Sequence, residues 1–168
     1  MEIERVKVRP IKKEEYSVLE NFLYDAIFQP ESSTPLTRDI IYKPELYQYI
    51  KDFGRADDCC LAAEYNGEIF GLVWARILAG PIRGYGNMDD KTPELAISVK
   101  QEYRHQGIGL RLMQEMLNLM RAKGYLQVSL SVDKDNYALL LYQKLDFQII
   151  EEREEDYLMV FSCKGGKK

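Results

Sequence analysis

The sequence predicts a single α/β domain of the α+β type, with a mixed, mostly antiparallel sheet flanked by helices. Three observations carry this expectation. Two apolar runs, Cys60 to Tyr65 and Glu68 to Ala75, are joined by Asn66-Gly67, the dipeptide preferred in type I′ hairpin turns. The apolar run Leu95 to Val99 leads through Arg104-His105-Gln106-Gly107-Ile108-Gly109 into a helical pattern that starts at Leu110. Leu126 to Val132 then alternates apolar and polar residues, as a half-buried strand does. At 168 residues the chain fits one domain, expected over 1–163, and buries roughly two thirds of the surface that its unfolded form exposes.

Taken in order, Val6 to Pro10 alternates like a first strand, and Pro10 ends it. A helical pattern follows, with Tyr16, Leu19, Phe22, Leu23, Ala26 and Ile27 on one face. Gln29 to Lys43 holds Pro30, Ser32, Ser33, Thr34 and Pro35, which favour turns, so an exposed connection is expected. Pro44 at a first helical position and Gly54 past the end bracket a short helix with Leu46, Tyr47 and Ile50.

After the hairpin, a second loop from Gly80 to Pro93 leads into the strand Glu94 to Val99. The helix Leu110 to Lys123 places Met113, Met116, Leu117 and Met120 on a core face, with Gly124 at its end. Asp135 or Asn136 can cap a last helix through Leu145, and Phe147 to Ile150 and Tyr157 to Phe161 read as closing strands. The acidic run Glu151 to Asp156 is expected as a solvated turn between them, and 164–168 as a frayed tail.

Composition narrows the function classes. A net charge of −4 argues against a nucleic-acid partner, because such domains usually carry a basic face. No apolar run approaches the roughly 18 residues of a membrane helix, and the charged start Met1-Glu2-Ile3-Glu4-Arg5 lacks the apolar core of a secretion signal, so a cytoplasmic protein with no membrane partner is expected. The three cysteines show neither disulfide framework nor zinc spacing, and no metal is expected. Cys59 and Cys60 are neighbours whose side chains should face opposite sides of a strand.

The segment Arg104 to Gly109 carries the chemistry. Two glycines with one residue between them allow a tight turn and close approach to a ligand, while the unpaired amides of the following helix's first turn suit an anion, such as a pyrophosphate. Taken alone, the same glycines could mark a plain tight turn.

Strand, Arg104-x-x-Gly107-x-Gly109, helix, strand, and then Asp135-Asn136-Tyr137-Ala138-Leu139-Leu140-Leu141-Tyr142-Gln143-Lys144-Leu145-Asp146-Phe147 together resemble the GNAT superfamily of acyl-CoA-dependent N-acyltransferases. The match runs from about Glu94 to Phe147, and the order of elements before it also fits. The resemblance implies a sheet of about six or seven strands with about four helices, splayed at a central parallel pair. It implies acetyl-CoA as co-substrate, with Ile97, Ser98 and Val99 along the pantetheine arm and a backbone amide near a strand bulge at the acetyl carbonyl. Arg104, His105, Gln106, Gly107, Ile108, Gly109 and Leu110 would surround the pyrophosphate, Asn136 would contact the co-substrate, and Tyr142 would sit near the sulfur.

The resemblance also implies the reaction: a primary amine of a small molecule or peptide attacks the thioester directly in a ternary complex. A phenol of ordinary pKa, about 10, makes Tyr142 a candidate acid for the departing thiolate. An alkyl amine with pKa near 10.4 must lose a proton before it attacks, and Glu94, on the same side as Ala96 and Ser98, is the candidate base; a solvated strand end is the alternative. The alternative for Tyr142, on its apolar helix face with Ala138 and Leu145, is a core residue with a satisfied hydroxyl. Tyr24, Tyr42, Tyr85 and Trp74 could supply aromatic surface beside the acceptor.

Departures from the family's pattern are informative. Ser131 stands where ribosomal-protein N-terminal acetyltransferases of the family carry a glutamate base. Asp146 stands where a glycine usually ends the last helix, and aspartate tolerates the left-handed conformation better than most residues. The alternative from another class is a non-catalytic acyl-CoA sensor or assembly module. A homodimer is left open.

Overall fold

The structure is a computed structural model that describes residues 1–164; the remainder of the expected tail, 165–168, lies outside the described residues. Its elements are β1 (Lys7–Pro10), α1 (Leu19–Ala26), α2 (Pro44–Tyr47), β2 (Cys59–Tyr65), β3 (Glu68–Arg76), β4 (Glu94–Val99), α3 (Ile108–Ala122), β5 (Gln127–Asp133), α4 (Ala138–Lys144), β6 (Gln148–Glu152) and β7 (Asp156–Ser162). The seven strands form one sheet in the order β1-β2-β3-β4-β5-β7-β6. All neighbours are antiparallel except β4 and β5.

The β2–β3 hairpin turns on Asn66 and Gly67, with φ of 51° and 81°, the positive pair that a type I′ turn demands. Alternation along β2 and β3 gives the sheet two apolar faces. One is covered by α3 and α4, where Leu112, Met113, Met116 and Met120 pack on Val73, Val128 and Met159. The other is covered by α1 and the segment after α2, where Leu19, Phe22, Leu23, Tyr49 and Ile50 pack on Leu72 and Trp74. Cys59 and Cys60 join opposite cores, as side-chain alternation requires. Among the described residues no helix is long and apolar enough to cross a membrane.

Several boundaries differ from the expected ones for physical reasons. The first helical pattern divides, with a 3-10 helix over Lys13–Val18 before α1. There Glu15 holds the Lys12 amide at 2.8 Å and both terminal nitrogens of Arg9. The Gln29 to Lys43 connection is mostly exposed, yet contains a 3-10 helix, Arg38–Tyr42, that buries Ile41. Helix α2 stops at Tyr47, because the carbonyls of Gln48 and Lys51 turn to the guanidinium of Arg76 at 2.9 and 2.6 Å. Helix α3 begins at Ile108 rather than Leu110, since burying Ile108 draws it into the first turn. Of the acidic run, Glu151 and Glu152 belong to β6 and Asp156 to β7, which leaves the turn to Arg153, Glu154 and Glu155.

Candidate active site

Strands β4 and β5 share a single parallel register pair, Glu94 with Ser129, and then part. On its other edge β4 stays paired to β3 from Glu94 to Val99. The divergence therefore leaves one edge of β4 without a strand partner, facing a cavity of 1480 Å³. That ladder to β3 runs without a register shift, so the bulge implied by the resemblance is absent from this pairing.

At one end of the cavity the chain leaves β4, makes a 3-10 turn at Gln101–Tyr103 and enters the glycine segment. Gly107 has φ of 84°, a conformation costly for any residue with a Cβ, and it caps α3. The first helical bond runs from the Arg111 amide to the Gly107 carbonyl at 3.1 Å, so the amides of Ile108, Gly109 and Leu110 precede it and remain free for a ligand. Arg104 uses its Nε to hold the Val99 carbonyl at 2.8 Å, and its other nitrogens have no protein partner among the described residues. His105 stacks on Tyr137 with ring centroids 5.4 Å apart and 18° between planes, linking the loop to the start of α4. Asn136 spends its side-chain oxygen on the Ala138 amide, at 3.0 Å, and keeps its NH₂.

All the residues singled out from the sequence as site candidates line the cavity except Gln106, which is exposed. Of the four aromatic residues expected beside the acceptor, only Tyr85 lines it. Trp74 is instead a core residue, and its indole donates to the Tyr49 carbonyl at 3.1 Å. Tyr24 turns to the Leu36 carbonyl and Tyr42 to Glu20. Ser98 brings a buried hydroxyl with no hydrogen-bond partner among the described residues.

Glu94 is buried, only 5% exposed, so the solvated strand end is corrected: the loop Gly80 to Pro93 folds over its carboxylate. Its Oε2 accepts from the Gly86 amide at 2.8 Å and from the Tyr49 hydroxyl, while Oε1 has no partner among the described residues. Burial pushes its pKa up to about 7, against the downward pull of the Tyr49 and Gly86 bonds and of the Arg153 charge. Glycine is required at Gly86, where a Cβ would stand 2.7 Å from the Leu130 backbone on β5, and a Cβ at Gly84 would crowd the Glu94 and Leu78 side chains.

Tyr142 projects from α4 and is also buried, its ring 5.8 Å from that of Phe147. Burial alone raises its pKa to about 12. Its hydroxyl makes no hydrogen bond among the described residues, so packing does not use that group. After α4 the chain reverses at Asp146 with φ of 74°, the left-handed turn anticipated from the sequence.

The acetyltransferase (GNAT) family model matches residues 21–147, three quarters of the chain, from α1 to the end of the α4 turn. The chain belongs to this family. GNAT relatives include a mouse protein, N-acetyltransferase family 8 member 3, 31% identical over 102 residues that span 60% of this chain and 43% of the mouse protein. An N-alpha-acetyltransferase of Sulfurisphaera tokodaii is 28% identical over 133 residues, 69% of this chain and 78% of that one. The chain thus spans less than half the length of the mouse relative that it matches.

Solved GNAT folds superpose along nearly the whole chain. An N-acetyltransferase from Staphylococcus aureus Mu50 gives a TM-score of 0.67 at 23% identity, covering 95% of this chain and 99% of that one. The PaiA N-acetyltransferase from Thermoplasma acidophilum, solved in complex with coenzyme A, gives 0.67 at 20% identity, covering 94% and 98%. These likenesses establish the seven-stranded GNAT fold with its parallel β4–β5 pair.

Sequence reasoning did not find Tyr49, Gly84, Gly86 or Ser129. Tyr49 lies 45 residues before Glu94 and carries no motif. The glycines were visible in the loop, but what they approach was not.

Proposed function

We propose that the protein is an N-acetyltransferase that moves an acetyl group from acetyl-CoA to a primary amine of a small molecule or peptide by direct attack in a ternary complex. One observation carries the reading: a single cavity joins the free first-turn amides of α3 to a buried carboxylate and a buried phenol. Helix N-termini of this kind hold pyrophosphate well, and the uncommitted nitrogens of Arg104 add charge. The unpaired edge of β4 offers backbone donors to the pantetheine arm and to the carbonyl oxygen on which negative charge builds.

Each side chain has a distinct part. Glu94, with its pKa raised to about 7, accepts the proton that an alkylammonium acceptor must lose before its nitrogen attacks the carbonyl carbon. As the carbon–sulfur bond breaks, the Tyr142 hydroxyl donates a hydrogen bond to sulfur. A phenol held near 12 is a weaker acid than a thiol of about 8.5, so donation without full proton transfer is its principal role.

Purified protein incubated with acetyl-CoA and a panel of amines tests the reading by thiol release. Turnover with at least one amine is expected. Tight binding of coenzyme A with no turnover on any amine would overturn it in favour of an acyl-CoA-binding module.

A further inference from the structure

Tyr49 reaches Glu94 from outside the strand that carries it, and the bonds around its hydroxyl have only one consistent arrangement. The Tyr85 amide donates to the Tyr49 oxygen at 2.8 Å. An amide can only donate, so the single proton of the phenol must point elsewhere, and the partner in line is Glu94 Oε2. Burial first, and the charge of Glu94 second, hold the Tyr49 pKa well above the ordinary phenol range, so the proton stays in place at every working pH. Core packing holds the ring, and the Tyr49 main-chain carbonyl accepts from the Trp74 indole, which fixes the backbone that carries it.

The carboxylate is therefore held from one side only. Oε2 receives two donors, Tyr49 and the Gly86 amide; Oε1 receives none and lies against the bare Cα of Gly84. A buried acceptor with no donor is costly unless it has a use. Resting on the reading of Glu94 as proton acceptor, we infer that Tyr49 is the positioning residue of this site, clamping Oε2 and so fixing both the orientation and the proton affinity of the carboxylate.

The charged surroundings are few. Arg153, on the β6–β7 turn, is paired with Asp156 at 2.8 Å and donates to the Tyr85 carbonyl at 2.6 Å. Arg76, opposite Glu94 on β3, is committed to Asp58 at 2.7 Å. On α1, packed on β4, the cavity-lining titratable group is Asp25. Among the described residues, Tyr49 is thus the side chain that hydrogen-bonds the carboxylate.

Tyr49→Phe keeps the ring, the Trp74 bond and the fold while removing the donor. Without it the ionised carboxylate loses one of two hydrogen bonds, so the acid limb of kcat/KM should move up by about one pH unit, with turnover roughly tenfold lower below the limb, recovery above it and no change in KM for acetyl-CoA. The carboxyl stretch in the infrared spectrum that Glu94→Gln abolishes should titrate upward by the same amount in Tyr49→Phe, a readout independent of turnover. An unmoved limb or an unmoved carboxyl titration in Tyr49→Phe overturns the positioning role. If Glu94→Gln itself keeps the wild-type limb, what fails is the underlying assignment of Glu94 as base.

Discussion

The hydroxyl of Ser129 donates to the carbonyl oxygen of Gly86 across 2.5 Å, in the interior of the protein. Ser129 is the β5 residue in register with Glu94, and Gly86 is the residue whose amide holds the Glu94 carboxylate. One serine thus pins the Gly80 to Pro93 loop to the strand at the point where β4 and β5 part. The loop's position, the carboxylate's orientation and the opening of the cleft are fixed by the same few atoms.

Ser129→Ala leaves the Gly86 carbonyl buried and unpaired, at a cost of about 1–3 kcal/mol. For a chain of this length the melting temperature should fall by roughly 2–10 °C. Turnover should fall with it as the Gly86 amide loosens, while affinity for coenzyme A, which the proposed function assigns to the Arg104 to Leu110 end of the cavity, should be retained. Thermal melts and calorimetric titration check both halves, and a melting temperature equal to wild type would deny the pin.

The pattern of what the sequence disclosed follows from the range of the forces involved. The Asn66-Gly67 turn, the αL position at Gly107 and the left-handed Asp146 are local backbone requirements, written in the residues that meet them. The apolar stripe of Met113, Met116 and Met120 is likewise periodic and local. Tyr49, by contrast, meets Glu94 across 45 residues, and Gly86 meets Ser129 across 43; no local pattern encodes such a meeting. Burial of Glu94 was unreadable for the same reason, since it depends on a loop folding back over a strand end. The end of the cleft at Arg104 to Leu110 was legible because it is a strand–loop–helix unit; the end around Glu94 is assembled from distant pieces.

The segment that carries Tyr49 is anchored by a buried ion pair, Arg76 with Asp58 at 2.7 Å, both almost inaccessible. Arg76 also holds the Gln48 and Lys51 carbonyls on either side of Tyr49, and Asp58 receives the amides of Gly54 and Arg55. Removing one partner strands the other charge, so Arg76→Ala should cost about 3–5 kcal/mol. Burial by itself would raise the Asp58 pKa, but the Arg76 pair and the two amides outweigh it and lower the pKa below the ordinary aspartate value. The pair's contribution is accordingly present above that ordinary value and lost as pH falls through the native one. Denaturant melts between pH 5 and pH 2 should show wild type losing stability more steeply than Arg76→Ala; parallel curves would contradict this.

Glu94 acts on stability in the opposite sense. An ordinary glutamate releases its proton near 4.5, whereas native Glu94 holds it to about 7. Between those values the native state binds more protons than the unfolded one, so stability declines as pH rises through that window, by a total on the order of 3 kcal/mol. Glu94→Gln should remove this slope along with the acid limb of the activity profile. Urea melts of both proteins at pH 4.5, 6 and 7.5 decide it: equal slopes would mean that Glu94 titrates normally.

Tyr142 separates catalysis from packing. Its ring is core, but its hydroxyl makes no hydrogen bond among the described residues, so Tyr142→Phe deletes an atom on which folding does not depend. The melting temperature should not fall, since removing a buried hydroxyl that has no hydrogen-bond partner among the described residues strands no other polar group. Turnover should drop by at least tenfold if that hydroxyl supports the departing sulfur, with KM for acetyl-CoA little changed. Because burial holds the wild-type phenol near 12, the pH profiles of wild type and Tyr142→Phe should have the same shape between pH 6 and 9. Steady-state kinetics over that range, alongside a melt, separate the outcomes: lost stability with normal turnover would make Tyr142 a packing residue, and lost turnover with normal stability would make it the hydrogen-bond donor to sulfur.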